Sequence, residues 1–228
     1  MRKLCMLLLC LLWTMPAVAL IDNFDTPHDF VADGVSGTDW QAVVYSGGVA
    51  GSLQILSSSG KLRMQSQGTT AGGWDGLWDL NGDGTDDLCP MLLTEVTGDF
   101  VLITRFAGIN NLQVYHQAAG LIARNPDISA GENMVQSAFF SVWTGHITWN
   151  VVNGARTGEA GATGLNVNQY SFMKLERVGD MFYPSVSQDG ITWLPMMAGW
   201  SRPDMPETLQ VGLFHAMFEQ NLGWTEFD

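Results

Sequence analysis

Short segments that favour β-strands recur along the sequence, and no long helical periodicity interrupts them. Seven such segments are rich in apolar, β-branched or aromatic residues and are bounded by Gly, Asn or Asp. They are residues 52–56, 61–66, 99–106, 136–143, 171–178, 181–187 and 208–217. The dipeptides Gly179-Asp180 and Asp189-Gly190 are typical of hairpin turns. We therefore expect an all-β chain whose two antiparallel sheets pack face to face as a β-sandwich, a jelly roll.

The N-terminal residues have the pattern of a secretory signal peptide. Arg2 and Lys3 precede the apolar run of residues 4–13, and small residues follow at positions 17 and 19. We predict cleavage after Ala19 and export of residues 20–228 as a single domain, to the periplasm or the exterior. No later stretch has the roughly 20 uninterrupted apolar residues of a membrane-spanning helix, so we expect no membrane span.

The chain is acidic, with a formal net charge of −13 at pH 7. Loss of Arg2 and Lys3 with the signal peptide makes it more acidic still. This charge argues against nucleic acid and against anionic membranes as partners, because both attract basic patches. Cleavage also removes Cys5 and Cys10, so Cys89 has no partner for a disulfide, and we interpret it as a buried structural thiol.

Residues 79–90, DLNGDGTDDLCP, form an acidic loop with the ligand spacing of a calcium site. The predicted ligands are Asp79, Asn81, Asp83, Thr85 through its backbone carbonyl, and Asp87. Pro90 replaces the glutamate that closes an EF-hand, so the loop more closely resembles the hairpin loops of integrin-type β-propeller repeats. We predict structural Ca²⁺ here. The alternatives are a solvated turn without metal and a Ca²⁺ ion that contacts a ligand directly.

Two tryptophans precede the acidic loop in a Gly-rich segment, GGWDGLWDL. Aromatic faces stack on sugar rings, so we predict that Trp74, Asp75 and Trp78 bind a ligand. The alternative is that both tryptophans cap the hydrophobic core beneath a long loop.

Residues 187–193, SQDGITW, are like the Asp-box of sialidases but lack one residue between Asp and Gly. We expect Asp189 to accept backbone N–H bonds and so stabilise the hairpin turn, with Trp193 packed beneath it. Contact of Trp193 with a sugar is the alternative, which makes it a fourth candidate ligand-binding residue.

The four histidines are too scattered to predict a zinc site from their spacing. His215 alternates with Leu213 and Met217 on one face of its predicted strand, so we interpret it as a core or interface histidine.

Several longer segments, taken in order, resemble bacterial concanavalin A-like jelly-roll domains. They are residues 20–30, 96–108, 117–127, 173–193 and 209–228. The sequence is similar to the laminin-G-like modules, and to others that accompany family 43 glycosidases. Such folds include glycan-binding modules, accessory domains and glucanases, so the resemblance implies a carbohydrate partner without choosing among these roles. It also implies that the first and last strands pair, which would place Phe24 near Phe227.

Jelly-roll glucanases carry their catalytic carboxylates in a Glu-x-Asp-x-x-Glu run, which this sequence lacks. We therefore expect a non-catalytic recognition or accessory module for extracellular carbohydrate. One alternative is a glycoside hydrolase or lyase whose carboxylates come from Asp75, Glu95, Glu132 or Glu176. The other is a structural cell-surface protein that binds other proteins.

Overall fold

The structure is a computed structural model that describes residues 22–45, 51–68, 89–110, 116–162, 164–218 and 220–228. These residues form β-strands, turns and bends, and none of them lies in a helix. The described residues therefore contain no helix that could cross a membrane. The prediction of an all-β chain is confirmed.

Sixteen strands run through the described residues. They are β1 (His28–Asp29), β2 (Ala42–Val44), β3 (Gln54–Ser58), β4 (Lys61–Gln67), β5 (Met91–Thr97), β6 (Phe100–Ile109), β7 (Gln117–Arg124), β8 (Met134–Phe140), β9 (Gly145–Val152), β10 (Ala155–Ala162), β11 (Phe172–Val178), β12 (Met181–Ser187), β13 (Trp193–Pro195), β14 (Trp200–Ser201), β15 (Thr208–Met217) and β16 (Leu222–Phe227). Each of the seven predicted segments forms a strand, and β12 and β15 begin and end at the predicted residues.

The strands form two antiparallel sheets. One sheet has nine strands in the order β1-β3-β4-β16-β6-β11-β12-β13, with β14 also paired to β12. The other has seven strands in the order β10-β9-β8-β7-β15-β5-β2. The two sheets pack against each other as the predicted β-sandwich, because inward-facing residues of both contribute to one hydrophobic cluster.

The main core lies between the two sheets. Alternate residues of β4, β11 and β15 point into it, including Leu62, Leu175 and Val211, each fully buried. Phe24 and Phe227 belong to this same cluster. The expected pairing of the first and last strands is nevertheless wrong: β16 pairs with β4 and β6, whereas β1 lies at the sheet edge beside β3. Packing through the core, rather than strand pairing, relates the two phenylalanines.

The outward face of the seven-stranded sheet is also apolar and buried. Met91, Ile122, Trp149 and Phe214 belong to a second cluster on β5, β7, β9 and β15. As a result, every residue of β7 and β8 is buried. A strand that is buried on both faces has no polar alternation, which is why its sequence signal is weaker.

Candidate functional site

The candidate site is an open hollow at the edge of the nine-stranded sheet, which we call the Trp193 hollow. Its volume is about 400 Å³, within the range of roughly 300 to 1,000 Å³ that is usual for small-molecule pockets. It is lined by Tyr170, Gln188, Asp189, Thr192, Trp193 and Leu194. The hairpin that joins β12 to β13 supplies all of these residues except Tyr170, which precedes β11.

Asp189 organises the hairpin turn as the sequence predicts. Its Oδ1 accepts the backbone N–H groups of Ile191 at 2.9 Å and Thr192 at 2.7 Å, and the Ser187 hydroxyl at 2.9 Å. Gly190 has a φ of 72°, a left-handed conformation that glycine adopts without strain. The turn is therefore fixed by local hydrogen bonds and needs no ligand to hold its shape.

The same hydrogen bonds determine the charge of Asp189. The backbone N–H groups of Thr192 and Ile191, followed by the Ser187 hydroxyl, lower the pKa of Asp189 to about 2. The carboxylate is thus ionised at neutral pH and acts only as a hydrogen-bond acceptor. Oδ2 accepts one long bond, from the Thr192 hydroxyl at 3.3 Å, and so retains capacity to accept a hydrogen bond from a ligand hydroxyl.

Trp193 is the predicted ligand-binding residue that the structure describes, and it lies in the wall of the hollow. It is the first residue of β13, opposite Ser187 on β12, and is partly buried. Lys174 Nζ lies 5.2 Å from the centre of the indole ring and 3.0 Å from Glu176 Oε2. The cation–π contact with Lys174, which Glu176 holds in place, limits the movement of the indole ring on the side that faces β11.

Tyr170 is a wall residue that sequence reasoning missed. Its backbone carbonyl is 2.8 Å from Nε2 of His146, and its N–H donates to the Asn166 carbonyl at 2.8 Å. Since a carbonyl only accepts, Nε2 of His146 carries the hydrogen of this bond. Burial lowers the pKa of His146 to about 4, so the ring is neutral at pH 7. The core thus anchors the loop that carries Tyr170.

The predicted hairpin contained a signal for Tyr170. A turn at Gly179-Asp180 sets the register that pairs Phe172 with Ser187. Continuing that register outward places Tyr170 beside Asp189, in the position that the structure shows. Sequence reasoning located the turn without extending its register to the next loop.

The other predicted ligand-binding and metal residues lie outside the described residues. These are Trp74, Asp75, Trp78, Asp79, Asn81, Asp83, Thr85 and Asp87. The calcium loop and its neighbouring tryptophans therefore stay predictions. Within the described ranges, no group of three or more His, Cys, Asp or Glu side chains is suited to hold a metal ion.

The described glutamates named as alternative catalytic residues occupy three different environments. Glu132 is fully buried and lies 2.6 Å from Arg124, which is also buried. Glu176 is on β11 of the nine-stranded sheet and pairs with Lys174 at 3.0 Å. Glu95 is exposed on β5, which two strands separate from β8, the strand that follows Glu132. With the strands about 4.8 Å apart, these positions do not form the close carboxylate pair of a glycosidase.

Two further sequence predictions concern buried side chains. His215 is fully buried, and its Nδ1 lies 3.0 Å from the Thr225 hydroxyl of the opposite sheet, so it is a core histidine as predicted. Cys89 is buried too, and burial raises the pKa of its thiol, which is therefore protonated at neutral pH. The prediction of a buried thiol is confirmed.

Comparison with known proteins identifies the fold. No protein-family model matches the sequence, and no curated protein is similar to it in sequence. A functionally unknown protein from Saccharomyces cerevisiae superimposes with a TM-score of 0.54 at 18% identity, over 76% of this chain and 88% of that chain. The GH43 BlXynB protein from Bacillus licheniformis has a TM-score of 0.54 at 16% identity, over 94% of this chain and 40% of that chain.

A third structure matches over nearly the full length of both chains. It is a prokaryotic β-1,3-1,4-glucanase (lichenase) derived from a mouse hindgut metagenome, with a TM-score of 0.50 at 9% identity, over 91% of this chain and 94% of that chain. At such low identities the likeness concerns the fold. The two-sheet architecture and these structures together show that the chain has a concanavalin A-like jelly-roll fold.

Proposed function

We propose that this protein is an exported, non-catalytic carbohydrate-binding module that takes a neutral sugar in the Trp193 hollow. The observation that carries the proposal is the composition of the hollow, which two aromatic residues line together with a set of polar residues. A sugar ring presents apolar C–H faces and a rim of hydroxyl groups. Apolar rings beside hydrogen-bonding groups complement both features.

The polar residues of the hollow can form hydrogen bonds with the hydroxyl groups of a sugar. The Gln188 amide both donates and accepts, and the Thr192 hydroxyl does the same. Asp189 accepts through Oδ2 and is already held in position by its turn. A preorganised acceptor loses little conformational entropy when it binds, which favours affinity from a small site.

The charge of the site favours a neutral sugar over an acidic one. Asp189 is ionised at neutral pH because its pKa is about 2, and the chain has a formal net charge of −13. A uronic acid or sulfated sugar would be repelled by both. Neutral hexose or pentose oligosaccharides are the class that we expect.

The carboxylates also support a binding role over a catalytic one. Glycosidases need a general acid whose pKa is raised, whereas hydrogen bonds lower the pKa of Asp189 to about 2. Four glutamates each lie within ion-pair distance of a cation: Glu132 with Arg124, Glu159 with Arg156, Glu176 with Lys174, and Glu226 with Arg63. For Glu226, burial would raise the pKa, but hydrogen bonds from Arg63 and Lys61 outweigh it and lower the pKa, which opposes the use of Glu226 as a general acid.

The fold agrees with a carbohydrate ligand. It is shared by a GH43 protein and by a β-1,3-1,4-glucanase. Export through the predicted signal peptide would place the protein among extracellular glycans. We further propose that the loop at residues 79–87 binds structural Ca²⁺, which would offset the repulsion among its carboxylates.

Isothermal titration calorimetry with neutral oligosaccharides, chosen from a glycan array, tests the binding role. Trp193→Ala should weaken binding about fivefold or more, because a stacked aromatic ring contributes on the order of 1 kcal/mol. Trp224→Ala is the matched control, since Trp224 lies on β16 of the same sheet, with Arg63 stacked over it at 4.3 Å. Equal loss in both variants, or no loss in Trp193→Ala, would refute the assignment.

A further inference from the structure

A second space lies between the two sheets, and we call it the intersheet cavity. Its volume is about 120 Å³. One wall is β6 of the nine-stranded sheet, and the other is formed by β5, β7 and β15. Its apolar lining includes Phe24, Trp40, Val96, Phe100, Leu121 and Leu213. It shares no lining residue with the Trp193 hollow.

Two threonine hydroxyls interrupt the apolar lining. Thr94 on β5 is 9% exposed and Thr104 on β6 is 6% exposed, and both residues line the cavity from opposite sheets. Within the described part of the chain, neither side-chain hydroxyl has a hydrogen-bond partner. Both hydroxyl oxygens retain some exposed surface, so water can bond to them in the free protein. A ligand that supplied a hydroxyl group would take the place of that water in the hydrogen bonds.

We propose that the intersheet cavity binds a small, mostly apolar, neutral molecule that carries a hydroxyl group and is about the size of phenol. The volume limits the ligand to one small ring, since an apolar cavity of roughly 150 Å³ in another protein holds benzene. The intersheet cavity is smaller, but half-exposed Val101 and Ile103 also line it, so it is open on one side. The hydroxyl group follows from Thr94 and Thr104, each of which both donates and accepts.

Charge beside the cavity restricts the ligand further. Asp22 and Asp228 are also lining residues. Asp22 accepts the indole N–H of Trp40 at 2.8 Å, and Asp228 pairs with Arg105 at 2.9 Å. These carboxylates would repel an apolar acid such as benzoate, whereas a neutral phenol or short alcohol meets no such repulsion.

Titration of the ¹⁵N-labelled protein with phenol and with toluene tests the proposal. The two probes have nearly the same size, and only phenol has a hydroxyl group. Phenol should cause saturable shifts at Thr94, Thr104 and the Trp40 indole. Toluene should bind at the same place with roughly twofold to tenfold lower affinity, the usual effect of one hydrogen bond.

Isosteric variants test the two hydroxyl groups directly. Thr94→Val and Thr104→Val should each weaken phenol binding by a similar factor and leave toluene binding no weaker. Thr97→Val is the control, because Thr97 is exposed at the end of β5 and bonds to Thr208 outside the cavity. Phenol and benzoate can also be compared, and benzoate should not bind in the cavity.

Three results would overturn the proposal. The absence of saturable shifts with either probe would show that the cavity is not a ligand site. Equal affinities of the wild-type protein for phenol and toluene would show that the threonine hydroxyl groups do not contribute to binding, and this comparison does not depend on the folding of any variant. Unchanged phenol affinity in both valine variants would also show that these hydroxyl groups do not contribute. None of these results bears on sugar binding in the Trp193 hollow.

Discussion

Two buried histidines make the stability of the fold depend on pH. Burial lowers the pKa of His146 and of His215 to about 4, from an ordinary value of 6.5. Between these pH values the unfolded chain binds more protons than the folded one, so the free energy of unfolding falls as the pH is lowered. Their contribution is complete above about pH 6.5 and is lost by about pH 4.

Urea unfolding at pH 7, 6 and 5 measures this effect. Each histidine should lower the free energy of unfolding by about 1.4 kcal/mol for each pH unit within the window. Because His215 has no role in the Trp193 hollow, His215→Leu isolates one contribution. The pH dependence of this variant should be shallower than that of the wild-type protein. Identical dependence in the two proteins would contradict the buried, neutral state of His215.

Asp189 titrates in a different range, and its titration changes the hydrogen bonds of its turn. Its pKa of about 2 lies below the ordinary value of 3.8, so its hydrogen bonds are complete above about pH 4 and are lost as the pH falls towards 2. The amide resonances of Ile191 and Thr192 should report this titration by NMR. A midpoint at or above 3.8 would show that the turn does not depend on the Asp189 carboxylate.

Close approach of strands in the centre of the seven-stranded sheet depends on glycine. A Cβ atom at Gly212 on β15 would collide with the Leu92 carbonyl oxygen of β5. Gly212→Ala should therefore destabilise the protein by about 1 to 3 kcal/mol in a urea melt. Gly161→Ala is the control, since a Cβ atom there meets nothing within 4 Å. A Gly212→Ala protein as stable as the control would show that the two strands move apart easily.

The proposed calcium loop belongs to the connection between β4 and β5. A ligand that binds only the folded state raises its stability by mass action. Millimolar Ca²⁺ should raise the melting temperature of the EDTA-treated protein by several degrees, and Asp83→Ala should abolish the rise. Superimposed melting curves would show that the aspartates form a turn without metal.

Strands with one polar face were predictable from the sequence, and strands without a polar face were harder to predict. β11 alternates partly exposed Lys174 and Glu176 with buried Met173 and Leu175, which is the two-residue period that sequence reveals. β7 is buried throughout, and short edge strands such as β1 contain too few residues to show any period. The nearest neighbours of β16 come from distant parts of the sequence, so resemblance alone predicted the wrong partner.

The part of the candidate site that lies within one sequence motif was predictable. Asp189 and Trp193 are in one short motif, so their proximity follows from local sequence. Tyr170 joins them only through the register of β11 with β12. The intersheet cavity had no sequence signal, because Thr94 and Thr104 meet only when two sheets pack together.

At the scale of the whole molecule, the central proposal is that the concanavalin A-like fold presents a sugar site at the Trp193 hollow. Titration of the ¹⁵N-labelled protein with the best-bound neutral oligosaccharide tests this claim most directly. The account predicts saturable shifts of the Trp193 indole and of the Tyr170 and Thr192 amides, with the buried Trp149 indole unmoved. Saturable binding that shifts other residues and leaves these three unchanged would contradict it.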